Sequence, residues 1–234
     1  MKPNLRSSLL SDPQHGPLPI LLLTLTVVTG LVDAVSVLSL GRVFVANMTG
    51  NVVFIGFALA GAPGFSLSAS LFALGGFLVG AFVAGLQITR TTSGRASLFL
   101  NAVVLELILL AVSVAVAQST AVPYSGPVRD AIAAITAIAM GIQNATARRL
   151  AVPDLTTTVL TMTLTGLAAD IRNHNQTALT RRLLAVLTML GGAIFGAELV
   201  LNVRPSAALE VATGLLLIVV AAAALGVKHQ KIPA

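Results

Sequence analysis

Two short polar clusters interrupt an otherwise apolar chain, and their residue types suit recognition of a small polar solute. The first, Asn47-Met48-Thr49-Gly50-Asn51, places two carboxamides, a hydroxyl and a glycine within five residues. The second, Thr156-Thr157-Thr158-Val159-Leu160-Thr161-Met162-Thr163, is dominated by hydroxyls. Each follows a stretch that disfavours helix. Arg42-Val43-Phe44-Val45-Ala46 is rich in β-branched residues, and Ala151-Val152-Pro153-Asp154 carries a proline that pushes its predecessor toward extended geometry. Helix-start residues come next, Asn47 and Thr49 in one segment and Asp154, Thr156, Thr157 and Thr158 in the other. Each segment is therefore expected to be an extended lead-in followed by a half-helix. The unpaired N–H groups and positive dipole end of such a helix start suit a carboxylate, a small anion or a polarised neutral solute. Asn47, Thr49, Gly50, Asn51, Thr157, Thr158 and Thr161 are the substrate-binding candidates. The same side chains also suit capping and interhelical hydrogen bonding, and threonines commonly bond their own helix backbone. Aligning Thr49 with Thr161 pairs Gly50 with Met162 and Asn51 with Thr163, so the two halves of such a site are chemically unequal.

Three further residues are candidates for ion or proton coupling: Asp33, Glu106 and Asn144. Asp33 and Asn144 occupy matching places, each three residues after a glycine and just before an alanine, in Gly30-Leu31-Val32-Asp33-Ala34 and Gly141-Ile142-Gln143-Asn144-Ala145. That spacing sets a polar group beside a small-residue strip where helices approach closely. Asp33 suits a cation or a proton, whereas Asn144 cannot titrate. Glu106 has only aliphatic neighbours in sequence, and at membrane depth it has to be protonated or partnered. For all three, an interhelical hydrogen bond is the alternative role. Glu198 and Glu210 lie nearer segment ends, within reach of the interface.

Enzymatic chemistry finds little support. The chain has no cysteine, and His15, His174 and His229 lie far apart without metal-ligand spacing. No nucleophile elbow, phosphate loop or HExxH motif is present, so no catalytic residue, metal or cofactor is expected and the chain does not read as an enzyme. The segment Asp170-Ile171-Arg172-Asn173-His174-Asn175-Gln176 reads as a solvated loop. The net charge of +6 is spread in small groups between apolar runs, with no basic face to track phosphates, so nucleic acid is excluded as a partner.

The elements that must position these residues are membrane spans. Of 234 residues 56% are hydrophobic and 9% charged, and the mean hydropathy is +0.95, far more apolar surface than a soluble core could hide. Six segments approach the roughly 20 helical residues needed to cross about 30 Å of hydrocarbon; they fall near 18–40, 68–89, 98–118, 127–147, 182–202 and 206–227. The polar clusters lie in two shorter apolar segments, 43–62 and 153–169. With six spans and a cytoplasmic N-terminus, most Lys and Arg fall inside and only Arg42, Arg129 and Arg204 outside. Eight full spans would instead put Arg42, Arg90, Arg95, Arg148, Arg149 and Arg204 outside, with Arg129 near the inner edge. The positive-inside rule therefore favours six spans plus two short re-entrant half-helices, both termini being cytoplasmic. The run Leu74-Gly75-Gly76-Phe77-Leu78-Val79-Gly80-Ala81 returns as Leu190-Gly191-Gly192-Ala193-Ile194-Phe195-Gly196-Ala197, and its glycines form small-xxx-small packing strips. Three spans per half is an odd number, so the halves, 18–118 and 127–227, read as an inverted 3+3 repeat within a single all-α membrane domain covering 1–234. Residues 1–17 form a polar cytoplasmic N-terminus and 228–234 a cytoplasmic tail.

The stretch Gly30-Leu31-Val32-Asp33-Ala34 followed by Val43-Phe44-Val45-Ala46-Asn47-Met48-Thr49-Gly50-Asn51 closely resembles the YoaK-type family of small bacterial membrane proteins, a family defined as a domain of unknown function. Its second hallmark is here Gly141-Ile142-Gln143-Asn144-Ala145, then Arg148-Arg149 and Thr156-Thr157-Thr158. The resemblance runs from about 18 to 227. It implies a bacterial inner-membrane protein of about six helices and no established substrate. Members often carry Thr-Gly-Thr where this chain has Thr161-Met162-Thr163, and the bulkier Met162 works against close backbone approach. The lead-in and half-helix pairing is also similar, at fold level only, to much larger anion and nucleobase transporters with inverted repeats.

The expected function is a secondary transporter or permease for a small polar or anionic solute, held between half-helix starts near the bilayer midplane. The alternative is a non-transporting membrane scaffold or regulatory protein; a membrane enzyme ranks third. The expected partners are the lipid bilayer and an unidentified small solute, and the chain is compatible with a homo-oligomer.

Overall fold

A computed structural model describes residues 12, 14–90, 94–158, 160–169 and 176–228. Most of the expected polar N-terminus, the 170–175 part of the expected loop and the tail beyond 228 lie outside the described residues. Among the described residues there are eight helices and no strand: α1 (Leu18–Ser39), α2 (Met48–Leu59), α3 (Leu67–Arg90), α4 (Gly94–Gln118), α5 (Gly126–Leu150), α6 (Thr161–Ala169), α7 (Gln176–Asn202) and α8 (Pro205–Lys228).

Six of these helices are long, and five combine the length and apolarity needed to cross a bilayer: α1, α3, α4, α7 and α8. The sixth, α5, has 25 residues but also Arg129, Asp130, Gln143, Asn144, Arg148 and Arg149, and it falls below the others in apolarity. α1 is apolar on every side and nearly all buried, as befits a helix at the centre of a bundle. Its start carries prolines, whose missing N–H costs nothing in the first turn. The outer helices instead leave a sheath of large apolar side chains uncovered, including Phe72, Leu78 and Phe82 on α3 and Leu190, Ile194 and Phe195 on α7. On a soluble protein such a belt would drive association; in hydrocarbon it is the contact surface itself.

The repeated glycines decide which helices touch. A Cβ at Gly30 would lie 2.5 Å from the Met189 carbonyl oxygen, and one at Gly192 would strike the Val27 carbonyl, so α1 and α7 meet backbone to backbone. The second pair copies this: a Cβ at Gly76 would lie 2.6 Å from the Ala134 carbonyl oxygen, and those at Gly80 and Gly141 would strike the carbonyls of Ile138 and Phe77, locking α3 to α5. Gly75 and Gly191, one position earlier, face open space. The long helices α1 and α3 of the first four therefore find their close partners, α7 and α5, among the last four. The remaining pairings follow the same scheme when the quartets are exchanged: α1 with α8 and α5 with α4, α2 with α3 and α6 with α7, and α4 with α8.

Contacts at the helix termini fix the directions. Arg95, starting α4, donates to the Leu150 carbonyl closing α5 and lies 3.2 Å from His15 ahead of α1, while Arg181 on α7 pairs with Asp12. At the opposite end Arg129, starting α5, donates to Ser68 of α3 at 3.1 Å, and Gln118, closing α4, donates to Glu210 of α8 at 2.9 Å. The six long helices thus alternate in direction, and α1 and α5 run oppositely.

A candidate solute site between two short helices

The two polar segments enter the bundle from opposite ends and meet. The first leaves α1 through Gly41 and Arg42, whose positive φ values of 86° and 56° turn the chain, and stays irregular to Asn47 before α2 begins. The second leaves α5 through Ala151 in the left-handed region and stays irregular through Thr158. Here the expected helix start at Asp154 and Thr156–Thr158 is corrected, because α6 begins only at Thr161. Asp154 and Thr157 have φ of 67° and 62°, incompatible with a helix, and specific bonds hold them there. Arg182 of α7 pairs with Asp154 at 2.7 Å, and its guanidinium packs over Gly166 of α6.

Asp33 and Asn144 do corresponding work in the two halves. Asp33 on α1 accepts hydrogen bonds from the Val45 N–H, at 3.3 Å, and from the Ala46 N–H, tethering the first irregular segment. Asn144 on α5 donates to the Thr158 hydroxyl, tethering the second. Its neighbour Gln143 donates to Thr29 of α1 and to Thr157, both at 2.9 Å, and so joins the irregular segment to both central helices. Sequence reasoning passed over Gln143, although it stands inside the quoted Gly141–Ala145 motif. Its role was unreadable because both partners are distant in the chain.

Asn51 is fully buried and spends its carboxamide on one backbone residue, accepting from the Phe44 N–H at 2.8 Å and donating to the Phe44 carbonyl at 2.5 Å. That pair of hydrogen bonds supplies the partners the irregular backbone at Phe44 would otherwise lack. A Cβ at Gly50 would lie 2.6 Å from the Phe44 ring, so this glycine makes room for the folded-back lead-in. Asn51 in α2 and Thr163 in α6 are the buried residues of their helices, matching the alignment of the two motifs. Asn47 stands at the N-cap position without capping through its side chain.

A cleft of about 560 Å³ lies between the two helix starts, lined by Asn47, Thr49 and Gly50 of the first segment, Thr158, Leu160 and Thr161 of the second, Asn144, and the rings of Phe54 and Phe77. Five of the seven substrate-binding candidates therefore share one cavity. Asn51 and Thr157 do not line it. Asn47, Thr49 and Thr161 are exposed, and their side chains bond no other described residue. Of the coupling candidates only Asn144 reaches the cleft. Asp33 is tied to the first lead-in, and Glu106 lies apart on the buried face of α4 with Ala102, Val103 and Leu110, fully enclosed and with neither carboxyl oxygen bonded to a described residue.

A model of the family described as a protein of unknown function, DUF1275, matches residues 21–222. The chain belongs to the DUF1275 family. This member is 37% identical over 152 residues to the UPF0700 transmembrane protein YoaK of Bacillus subtilis (strain 168), a match covering 64% of the chain and 66%, just under two thirds, of that relative. No solved structure matches. Together with the apolar helices, the transmembrane relative makes this DUF1275 protein a multi-pass membrane protein.

Proposed function

We propose that this protein is a secondary transporter or permease for a small polar or anionic solute, and not an enzyme. One observation carries the reading: two helix starts, arriving from opposite ends of the bundle, open on a single cleft with Asn47, Thr49 and Thr161 unspent on other described residues. Amides at the first turn of α2 and α6 have no intrahelical partner, and at membrane depth they need protein, water or a ligand. Aromatic and aliphatic walls from Phe54, Phe77 and Leu160 suit a small solute with one polar face. The matching glycine contacts and exchanged helix pairings support an inverted repeat of six spans, the arrangement that alternating access uses. Arg95, Arg148, Arg149, Arg181 and Arg182 gather at the end where α1 starts, against Arg42, Arg129 and Arg204 at the other. This favours cytoplasmic termini in a bacterial inner membrane.

A second reading, a non-transporting scaffold, is favoured by the bonds of Asn51, Gln143, Asn144 and Asp33, which organise the backbone. The deciding experiment screens a metabolite panel by thermal shift on the purified protein, then measures binding and melting together on Asn47→Ala and Thr49→Ala. A contact role weakens binding by about 1 to 3 kcal/mol each. Lower melting with unchanged affinity per folded molecule would reject the transporter site in favour of the scaffold.

A further inference from the structure

A second cavity, of about 430 Å³, opens at the end of the bundle where α1 begins and shares no lining residue with the cleft between the short helices. It is lined by His15, Ile88, Gly94, Arg95, Leu98, Arg149, Leu150 and Ala151, so three helices, α3, α4 and α5, and the segment before α1 converge on it. We propose that this cavity binds a phosphate group, with Arg95, Arg149 and His15 as its ligands.

The donors are fixed in place and incompletely used. Nη2 of Arg95 is spent on the Leu150 carbonyl and the His15 ring, which anchors the guanidinium while Nε and Nη1 make no bond to a described residue. Because Arg95 can only donate, His15 Nδ1 is the acceptor, which leaves the proton on Nε2 as a further donor. The segment is held in turn by Asp12, whose carboxylate takes the amides of Gln14 and His15 at 2.8 Å and pairs with Arg181. Arg149 is exposed and bonds no described residue. Two guanidiniums and an imidazole from separate elements suit a tetrahedral oxyanion, which can accept from all three at once. Ile88, Leu98 and Leu150 line the apolar remainder, so the cavity has room for the carbon skeleton of a phosphate ester. Arg148, the neighbouring exposed arginine, does not line it.

The test uses the full chain in phosphatidylcholine nanodiscs and follows its melting temperature in three settings. One adds phosphatidylglycerol to the bilayer, one adds glycerol 3-phosphate to the solution, and one adds inorganic phosphate. At least one should stabilise the protein. The half-saturating concentration should rise about tenfold or more in Arg149→Gln and stay unchanged in Arg148→Gln, which removes the same charge outside the cavity. Arg149→Gln breaks no bond within the described protein, so it should fold; Arg95→Gln is the harsher companion. A response to phosphatidylglycerol alone identifies a lipid headgroup, and a response to the soluble compounds identifies a free phosphate ester or phosphate. No stabilisation in any setting, or equal losses in the two arginine variants, would overturn the proposal.

Discussion

Neighbouring glycines in this chain carry opposite demands, because helical geometry turns one toward a partner backbone and the next toward the outside. Gly30→Ala, Gly80→Ala and Gly141→Ala each force a methyl against a backbone carbonyl of the opposing helix, which can move only if the helix moves. Each should destabilise by about 1 to 3 kcal/mol, the usual cost of overpacking. Gly75→Ala and Gly191→Ala meet no atom and should be neutral or slightly stabilising, since alanine is the better helix former. Melting curves of the purified variants check both halves of the statement. Glu106 makes a separate residue-scale prediction. A buried carboxyl with neither oxygen bonded is expected to be uncharged, so Glu106→Gln should melt close to the parent protein. The same variant tests coupling, because uptake driven by a pH gradient should fall if Glu106 carries the proton; unchanged pH-driven uptake would remove that role.

Among the elements, the short helices depend on side chains outside themselves. α2 has 12 residues and α6 has nine, too short to persist alone, and each packs on one long neighbour. Their lead-ins are held by Asn51, by the Asp33 tether and by the Gln143–Asn144 pair. Asp33→Ala should therefore speed amide exchange around Val45 and Ala46, and Asn144→Ala around Thr157 and Thr158, each sparing the other half. Mass-spectrometric hydrogen exchange reads this directly. Uniform protection in both variants would mean that packing alone holds the segments. Asn51→Ala should cost more than either, about 2 kcal/mol or above, because it leaves both backbone groups of Phe44 unpaired at a partly buried site.

For the molecule as a whole, alternation of the six long helices makes a topological prediction. Reporters inserted after Arg95 and between α6 and α7 should lie on the same side of the membrane, the cytoplasmic one, and a reporter near Tyr124 on the other. The contacts behind it are Arg95 with His15 and Leu150 at one end and Arg129 with Ser68 at the other. An external Arg95 reporter would require the first short segment to cross fully, and the opposed orientation of the two halves would go with it.

The sequence by itself determined the solvent, the rough places of the long apolar segments, the recurring glycine motif and the places where polar groups interrupt them. Apolarity and glycine spacing are additive along a chain, so Leu74–Ala81 and Leu190–Ala197 could be matched without coordinates. The tertiary structure alone decided what those features touch. It paired each repeat's glycine helix with the other half, α1 with α7 and α3 with α5, because close approach needs two small surfaces and a chain route that brings them together. It delayed the second short helix to Thr161, since the bonds from Gln143, Asn144 and Arg182 outweigh the helix-start preference of Asp154 and the threonines. And it divided residues of like chemistry by their partners. Asn47 and Thr49 open on the cleft while Asn51, four positions beyond Asn47, is consumed by Phe44, a distinction set by the fold-back of the lead-in and invisible to residue type.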